Sequence, residues 1–385
     1  MRYAAVVTAA GLSSRMCEFK PMLPLQKETV IRSTTDNLKA AGVEEILVVT
    51  GYRSEELRAH LAGRGLRFAQ NEGYAENSMF DSVCIGLRAL DPGYDFVLVT
   101  PADIPLVKPE TIKGLMRTEA PLSRPVCNGR TGHPLMIAGG LVPGILAHNG
   151  EGGLKGAADA LGERFSDIPV DDIGVIMDAD RPEEYRRLLE LDIGRKMLPA
   201  EKAESIFQTK FPNPESVPGL TDAYCEGLLD ACAVPEHIKR HCRAVARKVD
   251  EIAARLPEGL VDRGKLHAAA MLHDLARLQK DHAAAGAEIL AELGYGEISA
   301  WVAVHHELAC TEETVASEEV ILYLADKLIR EDREVTLEER FSESGKKCRT
   351  PEAMAKHRMR YAAALAAESC VAKAEEKAKT AERSR

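Results

Sequence analysis

Residues 3–25 read YAAVVTAAGLSSRMCEFKPMLPL. The opening run, YAAVVTA, has the length and near-continuous apolar character of a strand buried on both faces, as in a parallel sheet. It then breaks into a loop holding one glycine, two serines and an arginine, and a lysine follows ahead of two prolines. In an open parallel sheet, ligands bind beyond the carboxyl ends of the strands. A loop leaving such an end offers free backbone N–H groups to an anion, and Arg15 and Lys20 add positive charge. The loop of Ala10, Gly11, Leu12, Ser13, Ser14 and Arg15 is therefore expected to cradle a triphosphate. It fits neither GxxxxGK[ST] nor GxGxxG, which disfavours a P-loop NTPase and a dinucleotide-binding Rossmann domain.

Working outward, the same pattern recurs through about Leu191. Apolar runs at 45–51, 66–71, 96–103, 133–139 and 173–180 alternate with amphipathic stretches, which predicts an α/β domain with a mostly parallel sheet. Three further strand ends carry chemistry. Asp103 in TPADIPLV follows a fully apolar run, and Asp178 and Asp180 in IMDADRPEEY end another. Carboxylates at such an edge suit Mg²⁺, which takes one or two of them and fills its shell with water and phosphate oxygens. Gly132 and His133 in NGRTGHPLMI stand ahead of a strand, as candidates for substrate binding. Singly, an aspartate after a strand is more often a cap or turn residue; it is the combination that points to a metal triphosphate held for in-line attack at its α-phosphorus.

Beyond the proline-containing FPNPESVPG (211–219) the β-rich runs stop, and Ala, Leu, Glu, Lys and Arg recur at helical spacing. The expected organisation is a domain over 1–191, a linker over 192–218, an all-α domain over 219–365 and a charged helical tail over 366–385. Of 11 histidines, His273 stands beside Asp274 inside the apolar AAAMLHDLA. Burying both without partners is costly, and a shared metal or a polar network would remove that cost. Asp326 ends a similar apolar stretch, ILYLAD. Imidazoles and carboxylates converging in a helical bundle would form an N/O site for a divalent metal.

The bulk composition narrows the partners. A net charge of -10 argues against a general nucleic-acid surface, and no apolar run reaches the length of a membrane span. The N-terminal run is interrupted before any signal-peptide cleavage site. The 9 cysteines show no CxxC spacing and read as reduced thiols, so a cytoplasmic protein acting on small phosphorylated substrates is expected.

The motifs AAGLSSRM, Lys20 ahead of PMLPL, NEGYAENSMFDSVCIGL, PADIPLV, GRTGHP and DADRPEEY, in that order, resemble the molybdenum-cofactor nucleotidyltransferase family. TAAG and GHP look more like its CTP:molybdopterin cytidylyltransferase branch. The resemblance implies a Rossmann-like nucleotidyltransferase domain that transfers a nucleoside monophosphate from CTP or GTP to molybdopterin. It implies triphosphate binding by Gly11–Arg15 and Lys20, a nucleotide site that extends to Asn71 and Ser78, and Mg²⁺ on Asp103 with Asp178 or Asp180 nearby. Arg15, Lys20 and Asp103 would carry the reaction. Cys17 stands where the family usually has glycine, and GGLKG (152–156) where Gly-Ala-Arg is common. These departures leave open another small phosphorylated acceptor, or an accessory role that delivers the cofactor to a molybdenum enzyme. The C-terminal order His241, His273–Asp274, Asp326 resembles the HD phosphohydrolase superfamily. It implies one or two divalent metal ions, with His282 and His305 (or His306) as additional ligands.

Overall fold

A computed structural model of the chain describes residues 1–12, 16, 18–25, 28–211, 220–311 and 313–383. The chain divides into two compact units, Met1–Asp192 and Ile193–Arg385.

The first unit is built on an eight-stranded sheet. Its strands are β1 (Tyr3–Ala9), β4 (Glu45–Thr50), β5 (Arg67–Gln70), β6 (Phe96–Pro101), β7 (Leu122–Cys127), β8 (Arg130–Thr131), β9 (Leu135–Ala138) and β10 (Ser166–Pro169). Two short strands outside it, β2 (Pro24–Leu25) and β3 (Glu28–Thr29), form a hairpin. The sheet order is β10-β7-β9-β6-β1-β4-β5, with β8 on β7. β1 pairs in parallel with both β4 and β6, which puts its carboxyl end at the middle of the sheet. β9 runs antiparallel to β6 and β7.

Alternation along β1 explains the layers. Ala5, Val7 and Ala9 pack on one face with Ile31 and Leu38 of the helix Val30–Ala41. Val6 packs on the other with Phe80, Val83 and Leu87 of the helix Met79–Ala89. Full burial of each such side chain contributes about 1.5–3 kcal/mol. Gly86 permits the close approach of that second helix, since a Cβ there would lie 2.4 Å from Val6 Cγ1.

One strand expectation changes. Residues 173–180 do not form a strand: Ile173–Ile176 is a 3-10 turn, and its apolar side chains are buried as packing rather than as a sheet element. β7 and β10 take the sheet positions instead.

The second unit is helical, apart from the two-residue strands β11 (Ile329–Arg330) and β12 (Arg333–Glu334). Within the stretch read as a linker, residues as far as Met197 continue the helix Pro182–Met197, and Ala200–Lys210 is helical as well. Residues 212–219 lie outside the described residues. At the other end, the helix Pro351–Arg383 runs unbroken through the position where a tail was expected to begin, and buries Ala364, Ala367, Cys370 and Val371 along one stripe. Among the described residues, no helix is long and apolar enough to cross a membrane.

Candidate active sites

At the carboxyl edge of the sheet, a cleft of about 240 Å³ opens between the ends of β1 and β6. Thr8 to Gly11 supply one wall, Pro101 to Asp103 a second, and Lys20 and Asp180 close a side. Backbone hydrogen bonds fix these edges: Ala102 N–H donates to Thr8 O at 3.0 Å, and Tyr52 N–H to Ala10 O at 3.3 Å. Thr34 Oγ1, from the helix Val30–Ala41, donates to Ala102 O at 3.0 Å.

Lys20 begins the 3-10 turn Lys20–Met22. Its Nζ stands 3.4 Å from Asp103 Oδ2 and forms a still closer ion pair with Asp180 Oδ1. Burial works against the Lys20 charge, but the Asp180 and Asp103 carboxylates outweigh it and raise its pKa. Asp178 is pushed up to about 6, first by burial and then by the Glu184, Asp180 and Asp103 carboxylates. Carboxylate oxygens of this kind fit a hard dication such as Mg²⁺.

The remaining wall comes from the turn before the helix Met79–Ala89. Ser78 caps that helix: its Oγ accepts from Asp81 N–H, and Asp81 returns the bond to Ser78 N–H. Such a reciprocal cap fixes the orientation of a helix N-terminus. Asn71 is buried behind the wall. Its Nδ2 donates to Ser82 Oγ at 3.0 Å, and its Oδ1 accepts from Asn77 Nδ2 at 2.7 Å. Tyr74, Asn77 and Ser82 line the cleft with Ser78. Sequence reasoning did not single out these three; their signal was the dense run of small polar residues just ahead of a helix.

The structure thus brings Ala10, Gly11, Lys20, Ser78, Asp103 and Asp180 to one cleft, with Asn71 acting from behind it. Ser13, Ser14 and Arg15 lie outside the described residues. Leu12 is exposed and is not among the lining. Gly132 and His133 are not among the lining either. His133 N–H donates to Val175 O at 2.9 Å, and a Cβ on Gly132 would fall 2.3 Å from that same oxygen. Both therefore seat the start of β9 on the turn Ile173–Ile176. Burial lowers the pKa of His133, partly opposed by the Val99 backbone and the charge of Asp103.

In the second unit, five helices deliver side chains to one buried cluster. His241 lies on Glu236–Ala254, whose buried residues His241, Cys242, Val245, Val249 and Ile252 share one face. His273 ends Arg263–Leu272 and Asp274 follows it, while His282 opens His282–Glu292. His305 ends Gly296–Val304, and Asp326 lies on Glu318–Leu328. Two donor groups result, His241, His273 and Asp274, and Asp274, His282 and His305, each with its ligand atoms within 4.8 Å of one another. Asp274 belongs to both.

The hydrogen bonding aims the cluster inward. His273 Nδ1 pairs with Ala270 O at 2.7 Å and His305 Nδ1 with Val302 O at 2.6 Å, which turns both Nε2 atoms toward the centre. His241 Nδ1 pairs with Glu331 O at 2.8 Å, and its Nε2 meets Asp326 Oδ1 at 3.1 Å. Lys327 Nζ donates to Asp326 Oδ2 at 2.7 Å and to His305 O at 3.2 Å. Arg277 Nη1 lies 2.9 Å from His282 Nε2 and 3.5 Å from Asp274 Oδ1. His273 Nε2 and Asp274 Oδ1 are buried without a hydrogen-bond partner. Orphaned buried donor atoms of imidazole and carboxylate type are the arrangement a divalent metal would satisfy. Burial pushes His305 down to about 3, which keeps its imidazole neutral and its lone pair available. His306 stands outside both donor groups, with its ring 5.5 Å from that of His282.

The cleft at the carboxyl edge of the mostly parallel sheet and the histidine–aspartate cluster in the helical bundle lie in regions that match two domain families, a nucleotidyltransferase domain and an HD domain. Residues 5–165 match the family model of the MobA-like NTP transferase domain, and residues 238–331 match that of the HD domain. The molybdenum cofactor cytidylyltransferase of Escherichia coli is 26% identical over 183 residues, 47% of this chain and 92% of that protein. The bifunctional protein GlmU of Symbiobacterium thermophilum is 34% identical over 115 residues, 29% of this chain and 24% of that protein, so the match spans about a quarter of GlmU. Among solved structures, a nucleotidyl transferase from Methanothermobacter thermautotroptrophicus is 25% identical, with a TM-score of 0.45. That match covers 50% of this chain and 98% of that one.

Proposed function

We propose that the first unit transfers CMP from CTP to molybdopterin with release of pyrophosphate, and that the second is a metal-dependent phosphohydrolase. The observation that carries the first reading is the meeting of Lys20, Asp103 and Asp180 beside Gly11 and Ser78 in one cleft. The match to a molybdenum cofactor cytidylyltransferase over 92% of that protein supports the choice of acceptor and nucleotide.

In this reading the Gly11 loop, Arg15 and Lys20 bind the triphosphate, and Asp103 and Asp180, with Asp178 behind them, hold Mg²⁺. The ion, when bound, neutralises charge on the phosphates. The terminal phosphate oxygen of the acceptor forms a bond to the α-phosphorus as the bond to pyrophosphate breaks, and no protein nucleophile is required. The chain's contribution is alignment and fixed positive charge. In the second unit, His241, His273, Asp274, His282, His305 and Asp326 would hold one or two divalent ions, whose chemistry there would be Lewis-acid assistance to the attack of water on a phosphoryl group.

Incubation of the full chain with CTP and Mg²⁺, and with molybdopterin or a panel of sugar phosphates, tests the acceptor by product mass. A cytidylylated molybdopterin supports the proposal. The GGLKG departure favours the second reading, a sugar phosphate acceptor, and cytidylylation confined to that panel would establish it.

A further inference from the structure

Lys20 Nζ reaches both carboxylates at this edge, Asp103 and Asp180. The three side chains are 14%, 18% and 35% exposed, so the contact is partly shielded from water. The backbone beneath them is fixed. Pro21 sits in the turn that Lys20 begins, and Asp103 follows Ala102, which is pinned through both its N–H and its carbonyl. The lysine reaches both carboxylates through a four-carbon stem, whose rotatable bonds let the ammonium exchange one anionic partner for another.

We propose that Lys20 is an internal stand-in for the divalent cation: its ammonium holds Asp103 and Asp180 together, and passes to the triphosphate when a metal–triphosphate complex takes over those carboxylates. The proposal rests on the cleft being a nucleotidyltransferase site. Two consequences follow with opposite signs. A free dication must compete with the lysine for the same oxygens, so it binds weakly. When the dication arrives with a triphosphate, the displaced ammonium gains an anionic partner, so metal and nucleotide bind with positive coupling, which is reciprocal by linkage. Lys20 thereby selects the metal–nucleotide complex over the metal alone.

The test uses the full chain and its Lys20→Met and Lys20→Gln variants, with Mn²⁺ and an α,β-methylene CTP analogue as probes. Asp103→Asn, which keeps the histidine–aspartate cluster intact, serves to subtract Mn²⁺ bound there. Bound Mn²⁺ is counted by electron paramagnetic resonance and nucleotide affinity by calorimetry. Removing the competing charge is expected to tighten the Asp103-dependent Mn²⁺ site roughly ten-fold and to weaken the nucleotide roughly ten-fold. The enhancement of each by the other should largely vanish. A merely structural lysine would weaken both probes together. Unchanged or weaker Mn²⁺ binding in both variants, with wild type still binding Mn²⁺ and nucleotide, overturns the role of Lys20 alone. If wild type binds no nucleotide with Mn²⁺, the reading of the cleft itself falls, and the proposal with it.

Discussion

Removal of metal from the histidine–aspartate cluster should lower the thermal stability of the second unit by a predictable amount. His273 Nε2 and Asp274 Oδ1 are buried without a hydrogen-bond partner and meet longer ionic contacts, such as His282 Nε2 at 3.4 Å from Asp274 Oδ1, so a bound ion would satisfy donor atoms that the metal-free state satisfies weakly. A ligand that binds only the folded state at a hundred times its Kd stabilises by about 2.7 kcal/mol. For a unit of this size, each kcal/mol moves the transition by roughly 2–4 °C, so saturating metal should raise Tm by about 5–10 °C over the chelated protein. Differential scanning calorimetry of the full chain with EDTA, Mn²⁺, Zn²⁺ or Fe²⁺ measures the shift. Asp274 belongs to both donor groups, so Asp274→Asn should abolish most of it. An equal shift in Asp274→Asn, or none in wild type with any of these metals, would refute the reasoning.

Other outcomes follow from the same geometry. His282→Ala removes a donor from one group only, and elemental analysis should find fewer tightly held ions than in wild type, with the group of His241, His273 and Asp274 still loaded. Asn71→Ala strips partners from Ser82 and Asn77, which should cost about 1–3 kcal/mol in urea denaturation and weaken nucleotide binding. Gly132→Ala drives a methyl group into the Val175 carbonyl, and should destabilise the chain by about 1–3 kcal/mol with no loss of bound Mn²⁺ in the variants that fold.

The strands that fix the first site were legible because they are buried on both faces: β1, β4 and β6 read as continuous apolar runs. β7 was not, since LSRPVC mixes serine, arginine and proline, and β10 is the short edge segment SDIP with one half-buried position. Residues 173–180 misled because apolar character records burial, not conformation. There Gly174 packs against the Leu106 carbonyl and Val175 receives the His133 N–H, contacts that no local pattern encodes. His273–Asp274 announced itself as an adjacent polar pair in an apolar stretch, at the end of a helix, whereas the approach of His282 and His305 to Asp274 depends on tertiary packing, and only the family resemblance suggested it. Lys327 carried the same kind of signal as Asp274, a charge inside an apolar run, and went unread beside Asp326. The GHP element was legible as special, but its close approach to Val175 makes its glycine a packing residue rather than a lining one.

The central claim is that the Lys20–Asp103–Asp180 cleft transfers a nucleotide to molybdopterin. Its most direct test is pyrophosphate release with CTP, GTP, ATP and UTP in Mg²⁺, each with and without molybdopterin, for wild type and Asp103→Ala. The account predicts molybdopterin-dependent release with CTP, reduced at least a hundred-fold in the variant, on the order expected for loss of a group that anchors transition-state charge. Release that ignores molybdopterin for every nucleotide, or that survives Asp103→Ala undiminished, would contradict it.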